Sequence, residues 1–261
     1  MGEWTAIVLA GERPGEGGLA KASGVRAKAL IPVAGEAMLA RVARTLLAAP
    51  SIGRILVLAQ APEALAADLP GWLTREPRIG WAASGDGIAA SIGAVAGGAA
   101  APYPLLVTTA DHPLLTPKMV ESFLAGSAGA EIAFAMVERR TVEAAWPATR
   151  RTWLKARGGQ YSGANLFALA SPRARPALEL WTGIERDRKK AWRLLAHLGP
   201  AILIGALTRT ISLNGAAARL GRRLGLSTRA VVLPHAEAAI DVDKPEDLEL
   251  AERILAERQL G

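Results

Sequence analysis

The sequence contains no cysteine. That absence excludes disulfides, thiolate metal sites and cysteine nucleophiles, and it fits a reducing, cytoplasmic setting. Long apolar runs are missing too. The most apolar stretch, Leu198 to Leu207, is broken by Gly199, Pro200 and Gly205, and it falls far short of the roughly 20 residues a spanning helix needs, so no transmembrane segment is expected. No basic segment precedes the first apolar stretch and no small-residue cleavage site follows it, so a secretory signal is not expected either. Ala6 also spoils the myristoylation pattern. Aromatic residues are sparse, at 5%, and do not interleave with basic ones as a single-strand platform would require. Nucleic acid is therefore disfavoured as a partner.

What is present is enough for a sizeable core. The 261 residues are 51% hydrophobic, a length that α/β folds often fill as one domain with an insertion. The 31 Lys+Arg against 24 Asp+Glu leave a net charge of +7, which favours anionic partners. The expected layout is one domain over residues 1–261, with a basic helical insertion or cap at about 173–226. Within that insertion Trp192, Leu194, Leu195 and Leu198 would face a core, while Arg219, Arg222 and Arg223 add to a cationic face. Its role, as a solvated surface, a subunit contact or a cap over an anionic acceptor, is left open, as is a homo-oligomer.

The chain opens on a continuous apolar run, Ala6 to Ala10, stopped by Gly11. Such a run predicts a strand buried on both faces, the pattern of a parallel sheet. About twenty residues follow with five glycines from Gly11 to Gly24, together with Arg13, Lys21, Arg26 and Lys28. A loop of that kind after a first parallel strand reads as a phosphate cradle. Next come a helix after Gly35, a strand at Arg54–Ala59, a helix at Glu63–Leu69 and a strand at Arg78–Ala82. A helix capped by Ser84 or Asp86 follows, then a strand ending at Asp111, and a helix from about Lys118 to Leu124 with Thr116 as cap. A strand at Glu131–Val137 precedes a hairpin or loop over Glu138–Gln160 and a strand after Gly163. Arg229–Leu233 is a further strand, and Ala238–Asp243 is expected to close the sheet before a terminal helix capped by Asp243. The rhythm predicts a three-layer α/β/α, Rossmann-like architecture on a mainly parallel mixed sheet.

Leu9-Ala10-Gly11, then Arg13, then Lys28-Ala29-Leu30 before Pro32-Val33-Ala34-Gly35, resembles the signature of the MobA-like nucleotidyltransferases, a branch of the GT-A group. Thr109-Ala110-Asp111-His112-Pro113-Leu114 and Asp241-Val242-Asp243-Lys244-Pro245-Glu246-Asp247 are similar to the same family's central and terminal segments. The spacing from Arg13 to Lys28 is longer than the family's compact loop, and Ala27 stands where proline is common, so Lys21 stays open as an alternative to Lys28.

The resemblance implies a GT-A fold and an Mg²⁺-dependent transfer of a nucleoside monophosphate from an NTP co-substrate to a phosphorylated small molecule, releasing pyrophosphate. It implies that Leu9, Ala10, Gly11, Arg13 and Lys28 bind the triphosphate, with Gly85, Gly87 and Ser91 beside the base and ribose. Arg13, Lys28 and Asp111 would carry the chemistry. Asp111 and Asp241 would hold the metal, Asp243 being open as the second ligand, and Gly163 and Asn165 would face the acceptor. From the residues themselves, Asp111 sits where Pro113 ends any ladder, on the ligand edge of the sheet, and magnesium prefers one or two carboxylates with phosphate oxygens and water. His112, a softer donor, reads as a packing neighbour. Two further readings stand beside this one: a nucleotide-sugar glycosyltransferase using Asp241-x-Asp243, and a non-catalytic nucleotide- or RNA-binding module. A dehydrogenase reading of Gly15-x-Gly17-x-x-Ala20 is set aside, because Gly24 and Pro32 break the helix it requires.

Overall fold

The computed structural model describes residues 3–12, 18–147, 149–186 and 210–260. Among them the β-branched and leucine-rich runs form one eight-stranded sheet in the order β10-β7-β9-β6-β1-β4-β5, with β8 added on β9. The strands are β1 (Trp4–Leu9), β4 (Ile52–Ala59), β5 (Ile79–Ala83), β6 (Leu105–Thr109), β7 (Ile132–Glu138), β8 (Leu154–Ala156), β9 (Gly159–Leu169) and β10 (Thr228–Leu233). β1 pairs in parallel with β4 and β6, β4 with β5, and β7 with β10, whereas β9 runs antiparallel to β6, β7 and β8.

Alternating side chains of the central strands feed two separate cores, which is why these strands read as unbroken apolar runs. Ala6, Val8, Ile55, Val57 and Leu106 point into one core, with Leu39, Val42 and Leu46 of α2 (Met38–Ala48) and Met119, Val120 and Phe123 of α6 (Pro117–Ser127). Ile7, Leu56, Leu58, Leu105 and Val107 point into the other, with Ile92 of α5 (Ile88–Val95) and Leu178 of α8 (Arg175–Arg186). The three-layer α/β/α expectation holds. The terminal helix α10 (Pro245–Leu260) packs Leu250, Ala251, Ile254 and Leu255 against Ile31, Val33, Leu114, Ile240 and Val242, so both ends of the chain share one small core.

Several local expectations are corrected. Short helices α1 (Gly18–Ala22), α4 (Gly71–Arg75) and α7 (Arg139–Ala145) lie where no helix was expected, while α3 (Pro62–Ala67) is the short helix expected at Glu63–Leu69. The helix after Gly35 begins at Met38, because Pro32–Val33 and Glu36–Ala37 first form a small hairpin, β2 and β3. Its two-residue turn needs positive φ at both positions, and these are Ala34 (φ 48°) and Gly35 (φ 77°). Arg41 clamps the turn by donating to the carbonyls of Val33 (2.6 Å) and Ala34 (3.0 Å).

Neither Ser84 nor Asp86 caps α5. Gly87 stands at its N-cap with φ 103°, and Glu185 of α8 accepts from the Ala89 N–H at 3.0 Å instead. Ala238–Asp243 is not a strand; an alanine-rich 3-10 turn, Ala236–Ala239, leads into an extended connection, and β10 forms that edge of the sheet. Thr116 does cap α6, accepting from the Met119 N–H at 3.2 Å. Of the 173–226 insertion, α8 and α9 (Leu213–Leu224) are helical as expected, while Trp192, Leu194, Leu195 and Leu198 lie outside the described residues.

Ala34 carries a Cβ in left-handed backbone, where asparagine is better tolerated. Ala34→Asn is expected to raise unfolding stability by roughly 0.5–1 kcal/mol, read as a higher urea midpoint with an unchanged slope; an unchanged or lower midpoint contradicts the strain assigned to this turn.

Candidate nucleotide-transfer site

The parallel strands all end on one rim, and β9, running the other way, begins there. Four segments converge on that rim. The first is the exit of β1. Gly11 lies under the Gln60 amide, and a Cβ on Gly11 would come within 2.9 Å of it. That amide accepts from the Glu12 N–H (3.1 Å) and donates to the Glu12 carbonyl (2.7 Å), fixing the backbone as the chain leaves the sheet. The Glu12 carboxylate in turn accepts from the main-chain N–H of Lys28. Gln60, the residue after β4, was not singled out by sequence; its only signal is its place at a strand end opposite a glycine. Arg13, with Gly15 and Gly17, lies outside the described residues.

The second and third segments are the 3-10 turn Lys28–Leu30 and the turn after β6. Lys28 Nζ donates to Asp111 Oδ2 at 2.6 Å and also pairs with Asp243. Burial opposes its charge, but Asp111 and Asp243 outweigh that and raise its pKa above the ordinary lysine value. Lys21, exposed on α1, makes no such pair, so the structure sets Lys28 rather than Lys21 among the carboxylates. Asp111 Oδ1 is buried without a hydrogen-bond partner among the described residues.

The fourth segment is the connection into α10. The Val242 N–H donates to the Asp111 carbonyl at 2.9 Å, which sets Asp241 and Asp243 beside Asp111. Asp241 Oδ1 takes Arg151 Nη1 at 2.5 Å, and its Oδ2 takes Asn165 Nδ2 at 3.1 Å. Burial first, then the charges of Asp243 and Asp111, push the Asp241 carboxyl above the usual carboxylate range, against the pull of Arg151. Asp243 is not the helix cap. Asp247, three residues into α10, reaches back to accept from the N–H groups of Asp243 (3.2 Å) and Lys244 (3.1 Å), leaving the Asp243 carboxylate to Lys28.

Asn165 owes its direction to a bulge. β9 carries extra residues between its pairings with Phe134 and Met136, and Asn165 sits there at φ 49°. Bulges re-aim side chains in this way, and asparagine tolerates the left-handed backbone. Gly163, opposite Met136 in the same stretch, has open space where a Cβ would stand. Gly85, Gly87 and Ser91 form a separate knot at the head of α5. There the buried Ser91 hydroxyl accepts from the Gly85 N–H (3.0 Å) and donates to the Gly87 carbonyl (2.6 Å). Leu9 and Ala10 close β1 beneath the loop, with the Ala10 N–H on the Leu58 carbonyl at 2.8 Å.

Among the described residues, Asp111, Asp241, Asp243 and Asp247 face Lys28 and Arg151 within these ion pairs. Four carboxylates against two cations leave an excess of two negative charges, and one buried oxygen of Asp111 is open. No group of three or more His, Cys, Asp or Glu among the described residues is arranged to hold a metal by itself. Two carboxylates completed by a ligand's phosphate oxygens are, however, the donor set that magnesium takes.

Comparisons with known proteins identify the family and the fold. Residues 6–201 match the MobA-like NTP transferase domain. A hypothetical transferase from Thermus thermophilus shares 30% identity with a TM-score of 0.77, over 94% of this chain and 99% of that one. The fold also matches 4-diphosphocytidyl-2C-methyl-D-erythritol synthase from Anaerococcus prevotii, at 11% identity and TM-score 0.58 over 98% and 96% of the two chains. It matches CMP:2-keto-3-deoxy-manno-octonic acid synthetase complexed with CTP, at 14% identity and TM-score 0.58 over 98% and 99%. No curated protein matches the sequence closely enough to count as a relative. The family match makes the chain a nucleotidyltransferase. It belongs to the MobA-like NTP transferase family. No described helix is long and apolar enough to cross a membrane.

His112 is buried, and neither ring nitrogen makes a well-formed hydrogen bond among the described residues, the Glu237 main chain being close enough only to support its charge weakly. Burial, opposed by Asp111, drops its pKa to about 4. A base whose folded pKa is depressed costs stability as pH falls below its unfolded value of about 6.5, and the loss levels off near the folded value. Wild-type stability should therefore fall by up to about 1.4 kcal/mol per pH unit across that window on this account. His112→Leu should flatten the slope; an identical acid slope in the variant removes the assignment.

Proposed function

We propose that this enzyme transfers a nucleoside monophosphate from an NTP to a phosphorylated small-molecule acceptor in an Mg²⁺-dependent reaction that releases pyrophosphate. The observation that carries the reading is the meeting of Lys28, Asp111, Asp241 and Asp243, from three distant parts of the sequence, on one rim, with Glu12 at the exit of β1 holding the Lys28 N–H. The reading takes residues 1–261 as one transferase domain with its helical insertion at about 173–226.

In this reading the backbone after Gly11, with Arg13 and Lys28, holds the triphosphate. Lys28 exchanges part of its carboxylate pairing for phosphate oxygens, so its charge stays neutralised throughout. Gly85, Gly87 and Ser91 shape the wall beside the base and ribose, and the knotted Ser91 keeps that wall rigid. Asp111 and Asp241 hold the Mg²⁺ ion, with Asp243 within reach as the partner that Lys28 releases. Bound there, the ion supplies charge neutralisation at the α-phosphate. Gly163 and Asn165 line the acceptor side, where the bare Gly163 leaves room for a phosphorylated compound.

An oxygen of the acceptor's phosphate forms the new bond to the α-phosphorus as the α–β phosphoanhydride breaks, and the electron pair leaves with pyrophosphate. The acceptor oxygen is already an anion, so no general base is required. Positioning and charge neutralisation supply the rate.

A thermal-shift screen of ATP, GTP, CTP and UTP with Mg²⁺ identifies the nucleotide, since a ligand that prefers the folded state raises the melting temperature. Candidate phosphorylated acceptors then follow in a pyrophosphate-release assay. Asp111→Ala should cut the rate at least a hundredfold with the fold intact by circular dichroism; near-wild-type turnover in that variant would sink the assignment of the acidic pair.

A further inference from the structure

Arg151 lies in the stretch between β7 and β9 that showed no clean periodicity, and nothing in its sequence surroundings singles it out. In the fold its guanidinium is nearly enclosed, with 8% of the side chain exposed, and it reaches two carboxylates. Nη1 lies 2.5 Å from Asp241 Oδ1, and Nη2 lies 2.9 Å from Asp247 Oδ1. The other oxygen of Asp247 is fixed on the first turn of α10 by the N–H groups of Asp243 and Lys244. Arg151 therefore rests on a rigid helix start on one side and grips Asp241 on the other.

Asn165 holds the second oxygen of Asp241. Each carboxylate oxygen has two lone pairs, so with Arg151, Asn165 and its own main-chain N–H satisfied Asp241 still keeps one free. Lys28 and Arg151 differ in what they grip. Lys28 bridges Asp111 and the more exposed Asp243, whose side chain is 57% exposed, a pair that a ligand from solvent can exchange. The partners of Arg151 are 30% and 16% exposed, and its planar fork serves both at once, a pairing a ligand does not displace.

We propose that Arg151 is a positioning residue of the transfer site: anchored on Asp247, it fixes the Asp241 carboxylate so that Asp241 and Asp111 present their free lone pairs to one divalent cation brought in with the nucleotide. The proposal rests on the reading of Asp111 and Asp241 as the acidic pair.

The test is an electron paramagnetic resonance titration of Mn²⁺ against the full-length protein, in the presence of each of ATP, GTP, CTP and UTP, with melting temperatures measured in parallel. It requires no acceptor. Arg151→Gln should weaken nucleotide-dependent Mn²⁺ binding about tenfold or more, the usual cost of losing a group that orients a metal ligand. Arg151→Lys, which keeps the charge and loses the fork, should recover part of that loss, and it decides the matter if Arg151→Gln does not fold. Asp247→Asn, which weakens the anchor under Arg151, should lower Mn²⁺ affinity in the same direction as Arg151→Gln but by less. Wild-type Mn²⁺ affinity in Arg151→Gln, or a larger loss in Asp247→Asn than in Arg151→Gln, overturns the positioning role. Asp241→Asn separates the two readings: if it retains wild-type Mn²⁺ affinity the acidic pair itself is wrong, whereas if it alone loses affinity only Arg151 is misassigned.

Discussion

The ammonium of Lys28 lodged between Asp111 and Asp243 is the contact on which the rim depends. Three carboxylates approach one another there, and without a cation among them their repulsion would disfavour any compact arrangement of the β6 turn and the connection into α10. One side chain from near the start of the chain thus holds its middle to its end. The hydrogen bond from the Val242 N–H to the Asp111 carbonyl does the same through the backbone. The shared core of Ile31, Val33, Leu114 and α10 buries apolar surface beneath both.

Around that contact the remaining pieces are fixed by the backbone rather than by more charge. Gln60 pairs with both the N–H and the carbonyl of Glu12 and needs Gly11 bare to do so. The bulge in β9 turns Asn165 towards Asp241. Glu185 closes the head of α5 from a helix nearly a hundred residues later, so a carboxylate meets free N–H groups where no neighbouring side chain caps them. Each device joins segments far apart in sequence, as expected where a site is assembled on the ends of strands that are ordered by topology and not by chain position.

The sheet was legible because burial on both faces writes itself as unbroken apolar runs, and β1, β4 and β6 fell where those runs do. Asp111 and Lys28 were legible because proline and the surrounding motif mark strand ends and loop exits. The capping role of Asp243 was misread because Asp-x-Pro-x-Asp offers two ways to cap a helix, and only the fold shows that Asp247 reaches back. Ala238–Asp243 looked like a strand from its apolar run, yet alanine carries no strand preference and the segment found a tighter turn. Arg151, Gln60 and Glu185 were invisible, since each works through a partner 48 or more residues away and none sits in a repeating pattern.

The reversed direction of β9 has a consequence for how such a protein can change. Strand tips that carry the glycine loop and Asp111 are ends, whereas the tip that carries Gly163 and Asn165 is a beginning, reached through the excursion over residues 139–158. Length added to or removed from that excursion reshapes one side of the rim while the pairing of β1, β4 and β6 stays in step. The half of the rim built on β1 and β6 is therefore insulated from remodelling of the other.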